Sequence, residues 1–254
     1  MKKIVFPEGG NEYIKQATAR LTNDCEPILL NDDLAGAAEM VADGRADAMV
    51  AGIDYSSRDV ILAVRDKIGV RDGWKTFSSL FVCDMPDGKR YIVADGATCK
   101  NPTAEQLADI VILVHEAAEK LLAETPRVAM LSFSTFGSGG KDPSMDKITE
   151  TIKMVRERNP EVLIDGEMQL DAAINPRVAE KKAPTDSEVA GRANVLITPD
   201  INSGNILYKA IEQLAGAHVA GPVLLGFRAP VSDLSRGSTV DDVILTAKSV
   251  IDLA

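Results

Sequence analysis

The sequence predicts an α/β protein of two lobes, and three observations carry that expectation. Short apolar runs such as KIVFPE, PILL and ADAMVAG alternate with stretches of helical periodicity, the pattern of parallel strands buried on both faces. A chain of 254 residues can bury one large core or two smaller ones. No repeat or low-complexity linker interrupts it, which reads as two α/β lobes and not as separate beads on a string.

The elements follow in order. KIVFPE is read as a strand, a helix runs from Asn11 to about Asn23, and PILL is the next strand. The segment DDLAGAAEMVADG is a helix leading to the buried strand ADAMVAG, which ends at Gly52. A helix over RDVILAVRDKIGV places Val60, Ile61, Val64 and Ile68 on one face. Two strands around PDG in FSSLFVCDMPDGKRYIVADG give a hairpin signal. Thr103 opens a long helix with Glu105 in its first turn, a favourable start. Then come the strand RVAMLSFST, a helix over 143–159, the strands VLIDGE and NVLITPD, the helix GNILYKAIEQLAG and the strand GPVLLG. The last helix is expected to begin near Thr239.

Composition narrows the partners. The net charge of -10 argues against nucleic acid, which needs a clustered basic surface. It leaves room for a small anion held by a few arginines or a helix N-terminus. No apolar run reaches the roughly 20 residues that cross a bilayer, and Pro7 cuts the first apolar patch short, so neither a membrane span nor a signal peptide is expected. Cys25, Cys83 and Cys99 are odd in number and lack metal-type spacing, which reads as reduced thiols in a cytoplasmic protein with no metal. His115 and His218 are read as structural, the second in a loop.

In open α/β sheets ligands bind beyond the carboxyl ends of the strands, so the loops after strands are the candidates. STFGSGG, residues 134–140, offers hydroxyls and N–H groups in a Gly-rich turn, either an anion cradle or a plain flexible loop. Asp165, Gln169 and Asp171 follow another strand, as acid–base or metal candidates or as solvated loop aspartates. Asn202, Ser203, Gly204 and Asn205 precede Lys209, with Asn205 a possible helix cap and the group suited to an anion or a pantetheine chain. Finally, PVSDLSRGSTVDDVI contains a capping box, Thr239 to Asp242, which by itself implies no chemistry. The loop ahead of it holds Asp233, Ser235, Arg236 and Gly237, and a loop arginine beside a helix N-terminus is an anion site.

Taken together, RVAMLSFST, DGEMQLDAAINPRVAEKKAP, NVLITPDINSGNILYK and GPVLLGFRAPVSDLSRG resemble the phosphate acetyltransferase / phosphate butyryltransferase family. The resemblance covers residues 126–254 almost continuously, and IVFPEGGNE, ADAMVAG and ADGATCKNPTAEQLA extend it to the N-terminal part. It implies a two-lobed, three-layer α/β/α fold of the isocitrate/isopropylmalate dehydrogenase-like type, a dimer, in which the C-terminal helix returns to the first lobe. The expected lobes are then residues 1–82 with 223–254 and residues 83–222, with the active site in the cleft between them. It also implies reversible transfer of an acetyl group between acetyl phosphate and coenzyme A, with no permanently bound cofactor. On this resemblance Asp242 is the base for the thiol, Arg236 holds the phosphoryl oxygens, and Ser235 bonds the thiol or the carbonyl oxygen. Ser134, Thr135, Gly137, Ser138, Asp165, Gln169, Asn202, Gly204, Asn205, Lys209 and Arg228 are carried over as contacts to substrate or coenzyme A.

Two departures from the family pattern bear on function. The first lobe is shortened between about Glu26 and Asp43. A position where relatives commonly carry an arginine is near Leu62, flanked by Arg58 and Arg65. A butyryl or propionyl group is therefore one alternative, and a non-catalytic acetyl-CoA-binding module is another.

Overall fold

Ile4, Val5 and Phe6 are wholly buried in β1 (Lys3–Phe6), a strand with a neighbour on either side. The computed structural model describes residues 1–254 and divides into two units, Met1–Val82 with His218–Ala254, and Cys83–Ala217.

In the first unit β1 is followed by α1 (Glu12–Arg20), β2 (Glu26–Leu29), α2 (Leu34–Ala42) and β3 (Ala48–Ala51). Asn11 caps α1 by accepting from the Tyr13 N–H, and Asp33 caps α2 by accepting from Gly36. α3 (Ser57–Ala63) does not continue as the single α-helix expected from its periodicity; it widens into a π-helical turn over Val64–Ile68 that ends at Gly69. Val60, Val64 and Ile68 still reach the core with Ala37, Met49 and Phe227, so the apolar spacing is served by the altered helix.

β4 (Ser78–Asp84) takes the chain to the other unit, and β9 (His218–Leu225), β10 (Val231–Asp233) and α9 (Val240–Leu253) return it. His218 is thus the first residue of β9 rather than a loop residue. The strands run β2-β1-β3-β10-β9-β4, parallel from β2 to β10, with β9 antiparallel to β10. α9 packs on α1 and β9, while α2 and α3 close a second apolar cluster with β1 and β3. β10, three residues long, is the element the sequence does not announce, since it is too short to show a period. Its Asp233 is a buried strand residue and not part of the following loop.

The second unit holds β5 (Arg90–Ala94), α4 (Ala104–Leu121), β6 (Arg127–Leu131), α5 (Pro143–Arg158) and β7 (Leu163–Met168). Then come α6 (Leu170–Ile174), α7 (Pro176–Lys182), β8 (Val195–Ile197) and α8 (Ile201–Ala215). β8 inserts between β5 and β6 to give the parallel order β5-β8-β6-β7. A full capping box at Thr103 and Gln106 starts α4. Asp142 followed by Pro143 starts α5, and Gly216 at a φ of 68° ends α8. The expected α/β architecture is therefore present in each unit, with helices over strands that are mostly parallel.

Candidate functional site

The β10–α9 loop carries Ser235 and Arg236, and the first turn of α9 carries Asp242. Asp233 ends β10, Leu234 donates its N–H to Ala51 at the end of β3, and Ser235, Arg236 and Gly237 project into solvent. The Ser235 hydroxyl accepts from the Gly237 N–H at 3.3 Å, and its carbonyl accepts from Ser238 at 2.9 Å, a tight turn that presents both side chains outward. Arg236 is exposed and makes no ion pair, so its guanidinium is open to an anion. The neighbouring Asp241 is already paired with Arg20 at 2.8 Å.

Asp242 is both cap and candidate base, and its geometry shows how. Its Oδ2 accepts the Thr239 N–H and the Thr239 hydroxyl, both at 2.8 Å, while the Asp242 N–H donates to Thr239 Oγ1 at 3.3 Å. One carboxylate oxygen thus holds the helix start, and Oδ1 is left without a protein donor. The two roles divide between the two oxygens of one group.

Beneath that loop lie residues the motif reading passed over. Glu8, fully buried just after β1, accepts N–H bonds from Gly52 at 3.0 Å, Asp54 at 2.7 Å and Tyr55 at 3.1 Å. Gly52 has a φ of 111°, and a Cβ there would lie 2.5 Å from Asp233 Oδ1 and 2.6 Å from the Leu234 nitrogen. A side chain at 52 would push the β10–α9 loop off β3. The sequence signal was present as an "AG" closing a buried strand, but the partner that makes the glycine necessary is 180 residues away.

In the second unit the Gly-rich turn after β6 does gather donors on a carboxylate, and the carboxylate is the protein's own. Glu167, 6% exposed, accepts from the Ser134 hydroxyl at 2.8 Å and from the Gly137 N–H at 2.7 Å. Ser134 in turn accepts from the Gly139 N–H at 2.8 Å. These two candidates therefore shape the loop, with their donors already committed. Ser138 accepts from Thr135, and Thr135 and Gln169 bond each other across the loop at 3.0 and 3.3 Å. Glu167 lies in the DGEMQ segment, two residues after Asp165. Replacing Glu167 with Ala strands these donors and is expected to cost about 1–3 kcal/mol, read as a lower urea midpoint.

Asp165 sits on β7, bonded by Ser187 at 2.6 Å and facing Arg156 at 3.7 Å, so it serves the local fold at a distance from the Gly-rich turn's donors. At α8 the cap is Asp200, which accepts from Ser203 at 2.9 Å, and not Asn205. The helix begins at Ile201 because Asp200 already supplies the acceptor, which puts Asn202, Ser203, Gly204 and Asn205 in the first turns. Asn205 instead ties α8 to the Gly96 carbonyl at 3.1 Å. Gly204 lets that helix approach the loop after β5, since a Cβ would fall 2.1 Å from the Asp95 carbonyl oxygen. Lys209 stacks over Tyr208 at 5.0 Å, and Arg228, in the first unit, pairs with Asp72 at 2.8 Å.

A groove of about 650 Å³ opens beyond the carboxyl ends of β6 and β8. Leu131, Phe133, Ile206 and Leu207 make it apolar, and Lys147 and Ser203 stand among its polar groups. Lys147 is oriented by the Pro199 carbonyl at 2.9 Å. This is the place where an open parallel sheet offers a ligand crevice, and the sequence hid it because its walls come from five separate segments.

Residues 26–250 match the family model described as phosphate acetyl/butaryl transferase. A phosphate acetyltransferase of Treponema pallidum is 44% identical over 85% of this chain, and one of Clostridium acetobutylicum is 41% identical over 85%. The matched part is 66% of each of those relatives, so the chain spans just under two thirds of their length. Among solved structures, a phosphotransacetylase from Streptococcus pyogenes is 33% identical with a TM-score of 0.89, covering 99% of this chain and 93% of that one. A 4-hydroxythreonine-4-phosphate dehydrogenase from Burkholderia phymatum, 11% identical with a TM-score of 0.60, shares the fold alone. With its motifs in family order and its fold matched end to end, the chain belongs to the phosphate acetyl/butaryl transferase family.

Proposed function

We propose that the protein transfers an acetyl group reversibly between acetyl phosphate and coenzyme A. The observation that carries this reading is the β10–α9 loop, where an unpaired Arg236, an exposed Ser235 and the free Oδ1 of Asp242 stand on one turn and the helix it opens. A thiol near neutral pH is mostly protonated and must lose its proton to attack. Asp242 Oδ1 takes that proton, the sulfur attacks the acyl carbon, the new C–S bond forms, and the C–O bond to phosphate breaks. Arg236 holds the phosphoryl oxygens through attack and departure, as a fixed cation with paired donors. Ser235 donates to the acyl oxygen as negative charge gathers there.

Coenzyme A and the acyl phosphate are substrates, and no resident cofactor or metal enters the scheme. The setting we infer is the cytoplasm, in keeping with three unpaired cysteines. Burial pushes the Cys83 thiol up to about 12, so it is inert. No helix is long and apolar enough to cross a membrane. A homodimer is the assembly we infer, with the 87% exposed Leu214 as apolar surface for a second copy to cover.

Leu62, half-buried on α3 where an arginine was expected, favours one second reading, the same chemistry on a butyryl or propionyl group. Purified protein assayed for thioester formation with acetyl, propionyl and butyryl phosphate separates the readings. Acetyl phosphate is expected to react fastest. A faster longer-chain substrate favours the second reading. Coenzyme A binding with no thioester from any acyl phosphate defeats both and leaves a binding module.

A further inference from the structure

We propose that Asp233 is a positioning residue for Ser235 and Arg236, and that the proton it shares its site with sets how firmly their loop is seated on β3. The inference rests on the function proposed above for those two residues, but its structural part stands apart from it.

Asp233 is 3% exposed, yet its Oδ1 has no hydrogen-bond partner. Such an atom is costly when the carboxyl is charged. The groups facing it come from three elements. From the start of α3, the Ser57 side chain lies near its carboxyl and favours the charged form; from the end of β3, the bare Cα side of Gly52 lies against Oδ1; from just after β1, Glu8 presents a second buried carboxyl. Burial, with a smaller push from the Glu8 charge, raises Asp233 to about 6, and Ser57 opposes the shift. Burial raises Glu8 as well, against the three N–H bonds that pull it down. Two carboxyls therefore face one glycine, and the N–H groups that neutralise charge all go to Glu8.

Protonated, Asp233 is a compact neutral group on which Leu234 stays bonded to Ala51. Ionised, it sets a second buried negative charge under the loop, with an oxygen lacking a donor. The sign follows. The seated state has the raised value and so binds the proton more tightly than an opened loop whose Asp233 has its ordinary value of 3.8. Seating is then strongest at acid pH and is lost progressively as pH rises from about 4 through 6. Because Ser235 and Arg236 are two and three residues along the same strand exit, looser seating spreads their positions and weakens their hold on the acyl phosphate.

The test is hydrogen exchange of the amides from Leu234 to Gly237 in the intact protein, corrected for the intrinsic pH dependence of exchange. Between pH 5 and 7.5 the opening equilibrium is expected to rise about tenfold in the wild type. In Asp233→Asn the step should vanish. In Ser57→Ala, a change at an exposed position that removes the hydroxyl opposing the rise, the step should move to higher pH. KM for acetyl phosphate should follow the same step in the wild type and lose it in Asp233→Asn, which a purely structural role would not produce. A flat exchange profile in the wild type, or the same step in both variants, overturns the proposal. Exchange behaving as stated in a protein that forms no thioester leaves the loop latch standing and sinks the functional reading alone.

Discussion

Asp242→Asn is expected to lower turnover by about 10²- to 10⁴-fold while leaving the helix it caps in place. The carboxylate divides its labour: Oδ2 receives both Thr239 donors, and Oδ1 is free. An Asn side chain has the same shape, and its carbonyl oxygen can still accept from Thr239, so the cap survives. The free position is then an NH₂ group, which has no lone pair to take a thiol proton. Rate and stability must therefore separate. The urea midpoint should move by less than the ~1 kcal/mol that loss of a cap costs, while kcat collapses. Equal kcat in the two proteins would return Asp242 to a purely structural role. A Thr239→Ala variant gives the opposite pattern as a control, since it removes the hydroxyl that accepts from the Asp242 N–H and leaves the carboxylate.

Gly52→Ala is the change expected to cost most in stability, roughly 2–6 kcal/mol. Two terms add. A φ of 111° is a backbone region that residues with a side chain rarely adopt. The new Cβ would also meet Asp233 Oδ1 at 2.5 Å and the Leu234 nitrogen and oxygen at 2.6 and 2.7 Å, all but the first being backbone that cannot swing away. Relief requires moving the β10 exit, and with it Ser235 and Arg236, so activity should fall in any fraction that still folds. Gly44→Ala is the comparison: its φ is 77° but nothing lies within 4 Å, so only the backbone term applies. Similar urea midpoints for the two variants would show that the close approach between β3 and β10 is not under the strain described.

Much of the fold was legible because the strands are buried on both faces and so read as plain apolar runs. β1 and β3 are examples, with every residue of β3 buried. The caps were equally plain where they are local: Thr103 and Thr239 declare themselves by a partner three residues on. The cap of α8 was misplaced on Asn205 because Asp200, Asn202, Ser203 and Asn205 are all competent, and only the backbone decides among them. The π-helical turn over Val64–Ile68 left no mark either, since its apolar spacing also fits an α-helix.

For the candidate site, the chain alone singled out Ser235, Arg236 and Asp242 as candidates, because they are close in sequence and their order is itself a motif. Tertiary structure decided what those groups are free to do. It committed Ser134 and Gly137 to Glu167, and it left one oxygen of Asp242 open. It also buried Glu8 and Asp233 on either side of Gly52. The reason is physical: a hydrogen-bond donor or a buried charge is defined by its partner, and these partners lie on strands brought together only by the sheet.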